Sequence, residues 1–125
     1  MLDSSQIKSE IVGIISKDNA EHYNWGNNSD GWHLLKSDSL SVIQERVAPG
    51  ACERRHYHSK AQQFFYILSG TAHIIMSDVE YEIVKDKGFH IAPKKSHHLV
   101  NLGSEDLVFL LISEPKSHGD RVSEE

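Results

Sequence analysis

Cysteine occurs once, as Cys52, so the chain has no disulfide framework of its own and fits a reducing compartment, the cytoplasm. No apolar run approaches the ~20 residues of a membrane-spanning helix, and the N-terminus lacks the basic, apolar and small-residue succession of a secretory signal, so no membrane partner is expected. Positive charge is scarce as well. Thirteen Lys and Arg stand against 18 Asp and Glu, and the net charge of −5 argues against a nucleic-acid partner. Lys94-Lys95 and Arg54-Arg55 are too short to build a basic face. Also missing is any alternation of strand and helix patterns, which excludes a parallel α/β sheet.

What is present is one domain's worth of chain, 125 residues with 38% hydrophobic and 25% charged side chains, the balance of a globular protein. Residues 3–17 place Ile7, Ile11, Ile14 and Ile15 on one helical face, with Asp3 and Gln6 as a capping pair. That predicts a short N-terminal helix, although Gly13 within IVGII leaves an edge strand as the alternative. Residues 18–31 are rich in Asn, Asp and Gly and read as loop and turn, with Trp25 and Trp32 anchoring it to the core. From residue 32 to residue 113 short strands recur between Gly, Pro, Asp and Ser turns, as expected of an all-β sandwich or barrel. The organisation is therefore an N-terminal segment 1–31 packed on a barrel, the barrel 32–113, and a polar tail 114–125 that wraps the surface or stays disordered.

Nine histidines in so short a chain favour metal or proton chemistry. His56 and His58 are two apart, and side chains two apart on a strand point to one face, so both imidazoles can reach one ion. A turn over Ser59 to Gln62 would bring Gln63 beside them, and the later strand beginning at His97 would supply a third imidazole. Gln63 could instead serve as a structural hydrogen-bonder. His98 must point away from His97, while His73 and His90 could line a pocket or be structural. Gln44 and Arg46 share one strand face. If that face is inward, Arg46 could clamp a carboxylate or phosphate; otherwise it forms a salt bridge. Phe65, in phase with Gln63, is the expected pocket wall.

These residues resemble a family. Gly50, His56-x-His58, Gln63 and Gly70 are similar in spacing to the first signature motif of the cupins, with Gln63 where that family usually has Glu. Gly88, Pro93, His97 and Asn101 resemble the second motif, with Lys94-Lys95 in place of its usual x-Gly. The resemblance implies a double-stranded β-helix (jelly-roll) barrel, often paired as a homodimer. It also implies one divalent transition metal held by His56, His58, Gln63 and His97. Three imidazoles and an amide suit Fe, Mn, Co, Ni or Zn. A neutral ligand set leaves the ion's charge uncompensated and favours anionic, chelating small molecules. Gln44, Arg46, Phe65 and His73 are the candidate pocket residues. The expected function is a metal-dependent enzyme of sugar isomerase, epimerase or dioxygenase type acting on a small polar or anionic molecule. The alternative is a non-catalytic module that binds a metal or small molecule.

Overall fold

The computed structural model describes residues 13–124 and arranges them in two antiparallel sheets facing one another. The chain gives β1 (Glu21–Trp25), β2 (Ser29–Lys36), β3 (Ser41–Val47), β4 (His56–His58), β5 (Gln62–Ser69) and β6 (Ala72–Met76). It continues through β7 (Val79–Ile83), β8 (Gly88–Ile91), β9 (His97–Val100), β10 (Leu107–Glu114) and β11 (Arg121–Ser123). One sheet runs β1-β2-β3-β10-β5-β8 and the other β11-β4-β9-β6-β7. This is the all-β jelly roll expected from the recurring turns, with every named pairing antiparallel.

Alternation decides which side chains fill the space between the sheets. Along β5 the buried residues are Gln63, Phe65 and Ile67, and along β10 they are Leu107, Phe109, Leu111 and Ser113. Ile43, Val47, Ile74 and Leu99 complete a core in which each is almost fully buried. The apolar face of a strand must be covered, and two facing sheets cover each other.

Three expectations need correction. The expected helix over residues 3–17 lies mostly outside the described residues, and residues 13–16 carry no regular structure. The segment 18–31 is not all loop. Its residues Glu21–Trp25 pair with β2 from Glu21 opposite His33 to Trp25 opposite Ser29, and Tyr23 and Trp25 pack against the core. The polar tail is neither disordered nor a surface wrap alone, because Arg121, Val122 and Ser123 pair with His58, Tyr57 and His56. Its composition hides this, since all three residues are exposed and the strand is held through its backbone.

Two turns show how the site strands are placed. Gly70, at φ +82°, closes the β5–β6 turn, and a Cβ there would lie 2.7 Å from Asp106 O and 3.0 Å from Leu107 Cα. Lys94 takes the left-handed conformation itself, at φ 69°, and its amide donates to His58 O at 2.7 Å. The departure from a Pro-x-Gly turn is thus accommodated at the middle residue, held by that hydrogen bond. Gly70→Ala combines positive φ with a clash against backbone, and it is expected to lower unfolding stability by ~1–3 kcal/mol. Chemical denaturation checks this, and a change within error would mean that the β5–β6 turn relaxes freely.

Candidate metal centre and cavity

His56 and His58 stand on one face of β4, and His97 begins β9 directly opposite His56. All three are buried, at 3%, 6% and 1% exposure, which is unusual for imidazoles without a charged partner. Their ring centroids are 4.5 Å apart for His56–His97, 5.0 Å for His56–His58 and 6.2 Å for His58–His97. One nitrogen from each ring lies within 4.8 Å of the others.

Hydrogen bonds set the tautomers of two of the rings. His56 Nδ1 donates to Arg54 O at 2.7 Å, and His97 Nδ1 donates to Lys95 O at 2.8 Å. A carbonyl only accepts, so the proton sits on Nδ1 and the lone pair on Nε2. His97 Nε2 is buried without a partner among the described residues. Burial also pushes the protonated forms out of the neutral range, taking His56 down to about 3 and His58 to about 4; His97 is lowered for the same reason. The three rings are therefore neutral, two of them with the lone pair fixed on Nε2, and one nitrogen of each lies near a common point. That donor set fits a divalent transition metal.

Gln63 sits in the opposite sheet, on β5, and faces the same cavity as His56 and His58. Its Nε2 donates to Ser113 Oγ at 3.1 Å, while Oε1 is buried without a partner among the described residues. The carboxamide is thus oriented by Ser113 with its acceptor oxygen free. Asn101, buried directly after β9, is structural: it donates to Val47 O and Glu105 O and accepts from Gly103 N.

A cavity of about 290 Å³ is lined by His56, His58, Gln63 and Phe65, as the alternation of their strands requires. The other three pocket candidates lie elsewhere. Gln44 and Arg46 are on the outward face of β3, where Arg46 Nε donates to Asp30 Oδ2 at 2.8 Å and Nη1 to Asp106 Oδ1 at 3.2 Å. His22 and Arg46 together hold the Asp30 carboxyl below its usual range. The phase of β3 is set by Ile43 and Val47, whose burial outweighs any tendency of Arg46 to turn inward. His73 lies on the outward side of β6, with its Nε2 3.3 Å from Glu82 Oε2.

Sequence reasoning missed the acidic side of this cavity. Glu45, between Ile43 and Val47, faces inward, and Tyr23 Oη donates to its Oε2 at 3.0 Å. Glu53 accepts at Oε1 from Leu99 N at 3.0 Å. Burial raises Glu45 to about 7, with Tyr23 and Arg121 opposing it; burial, then the neighbouring Glu45, raises Glu53 to about 8. Burial followed by Glu45 also raises the Tyr23 phenol. The signal available in the sequence was Glu45's phase with Ile43 and Val47. The remaining wall comes from the tail, where Ser117, His118, Gly119 and Arg121 line the cavity. Asp120 holds that tail in place by accepting from Lys60 N and Ala61 N, both at 2.9 Å.

The family profile described as Cupin domain matches residues 43–113. An uncharacterised protein with a double-stranded β-helix domain from Klebsiella pneumoniae is 18% identical, with TM-score 0.75 over 90% of this chain and 96% of the other. A sugar phosphate isomerase from a cupin superfamily of Silicibacter pomeroyi is 18% identical, with TM-score 0.71 over 83% and 76% of the two chains. The polyketide cyclase RemF of Streptomyces resistomycificus is 14% identical, with TM-score 0.73 over 83% and 80%. No curated protein matches the sequence. At these identities the likeness concerns the fold.

The two cavity carboxyls bind their protons more tightly in the folded chain than in the unfolded one, where 4.5 is the ordinary value. Their stabilising contribution is complete below that value and is lost as pH rises through about 7 and about 8. Metal-free protein is expected to lose melting temperature over this window, and Glu45→Gln to lose less, by on the order of 3–5 °C. Parallel melting curves for the two proteins from acid to mildly alkaline pH would show that Glu45 does not titrate there.

Proposed function

The chain belongs to the cupin domain family, and we propose that it is a metal-dependent enzyme acting on a small polar or anionic molecule. The observation that carries this reading is the trio of buried, neutral imidazoles converging on one point, two with their Nδ1 protons tied to backbone carbonyls. His56, His58 and His97 would hold the ion, with Gln63 Oε1 as the fourth donor facing them. A divalent ion in that position supplies Lewis acidity toward a chelating oxygen of the bound molecule.

The protein's own residues divide the remaining work. Gln63 adds no negative charge and cannot take up a proton, so the ligand set carries no base. Glu45 and Glu53, in the same cavity, are groups able to hold or release protons near neutral pH. Phe65 and Leu111 exclude water from one side. A second reading, a binding module without turnover, is favoured by the neutral Gln63 in the ligand set.

Elemental analysis of tag-free protein purified without chelators tests the metal site. About one transition ion per chain is expected, falling to background in His56→Ala/His58→Ala. Iron, nickel or manganese would direct assays to oxygen uptake, and zinc to isomerase chemistry. Metal-free wild type whose melting temperature is unmoved by added ions would sink the proposal.

The same reading includes a homodimer. The outward face of the six-stranded sheet carries Val42, Leu110 and Ile112 beside Phe64, which is 39% exposed. Sedimentation is expected to show twice the 14.1 kDa chain mass, and a monomer at micromolar concentration would remove this part of the reading.

A further inference from the structure

The cavity's lining is of two chemical kinds. The histidines and Gln63 are one; Glu45, Glu53 and Tyr23 supply the other, with Trp25 beside them. Among the described residues neither Glu45 nor Glu53 takes part in a salt bridge. Glu45 accepts one hydrogen bond, from Tyr23, and Glu53 one, from Leu99 N. A carboxyl offers about four acceptor positions, so each keeps capacity unused. Arg121 offsets part of the desolvation cost of these carboxyls, but it forms no ion pair with either, and a ligand or retained protons can offset the rest.

The chemistry of that ligand is bounded from several sides. An ammonium group would enter a space already facing Arg121, the one Lys or Arg among the lining residues. It would also meet a pair of acids that burial keeps from being fully ionised near neutral pH. Hydroxyl groups suit the wall better, since each both donates and accepts, as a partly protonated carboxyl pair does. Tyr23 and Trp25 add aromatic surface against which a C–H face can pack. Arg121 presents a guanidinium, whose natural partner is a carboxylate. About 290 Å³ restricts the occupant to a small molecule.

We propose that the cavity takes a small carboxylic acid bearing several hydroxyl groups, its hydroxyls bonded by Glu45, Glu53 and Tyr23 and its carboxylate drawn by Arg121. This deepens the metal-dependent reading above and rests on it. Arg121 thereby assumes the anion-binding role for which Arg46 is unavailable. The tail that carries Arg121 is part of the recognition surface.

The test uses protein loaded with nickel(II), its metal content measured on each sample, and titrated calorimetrically with D-glucuronate, succinate and D-glucose. Glucuronate is expected to bind roughly tenfold or more tightly than either succinate, which lacks hydroxyls, or glucose, which lacks the carboxylate. Tyr23→Phe/Glu45→Leu removes both partners of one hydrogen bond, so neither is left unsatisfied. It is expected to abolish the advantage of glucuronate over succinate while leaving succinate unchanged. Arg121→Gln, at an exposed position, should weaken both acids and spare glucose. Nickel bound at about one per chain with no preference for glucuronate, or with no binding of it, overturns this inference and leaves the metal site standing. Retention of the preference in both variants overturns it equally. Failure to bind any of nickel, cobalt, iron, manganese and zinc removes both readings.

Discussion

His56 opposite His97 is the cross-strand pair on which the arrangement of the interior depends. It joins β4 to β9 at their only registered position, and its two rings are the closest pair of the three. Each of these rings is oriented by a carbonyl two residues earlier in its own chain segment, so ring direction is settled locally before the strands meet. Strand pairing then needs only to bring two already oriented lone pairs together. His58 follows from alternation along β4 and needs no separate device. Burial disfavours the charged forms, so the three imidazoles stay neutral, and two of them satisfy Nδ1 on a backbone carbonyl.

Much of this was legible in the sequence, for identifiable reasons. Strand period places His56 with His58 and His97 with Leu99 and Asn101, and glycines at 50 and 70 bracket the first group. Gln63 was legible as a residue of the same cavity, though the sheet that carries it was not. A turn over four residues does not say whether the next strand joins the same sheet or the facing one, and here β5 joins the facing one. The face of β3 was ambiguous because Val42 and Ile43 are both apolar and Gln44, Glu45 and Arg46 are all polar. It is set by the burial of Ile43 and Val47, and supported by Asp30 on neighbouring β2, which holds Arg46 outward, and by Tyr23 on β1, which gives Glu45 a hydrogen bond inward. Such distant partners have no local signature.

The tail was illegible for a different reason. Its residues contribute no buried apolar surface, and hydrophobic pattern is the signal by which strands are found in a sequence. What holds it is polar: Asp120 across the amides of Lys60 and Ala61, the Arg121 guanidinium on Arg54 O, and the Glu124 amide on Arg55 O. Acid residues facing inward were equally invisible, because ordinary patterning assigns Glu to solvent. Violations of that rule concentrate where ligands bind, and Glu45 and Glu53 share their cavity with the histidines.

Three residues make up β4, and its ladder consists of three pairs to β11 and one to β9. The wall that bears two of the three histidines is therefore stitched less densely than β10, which runs eight residues between β3 and β5. Amide exchange should divide along that line, with β4 and β11 opening together as one unit while the β3-β10-β5 centre opens only with the whole barrel. Access to the interior is then a matter of local breathing at one seam, and the lifetime of whatever is bound there is set by the tail's polar clasp and not by the stability of the fold.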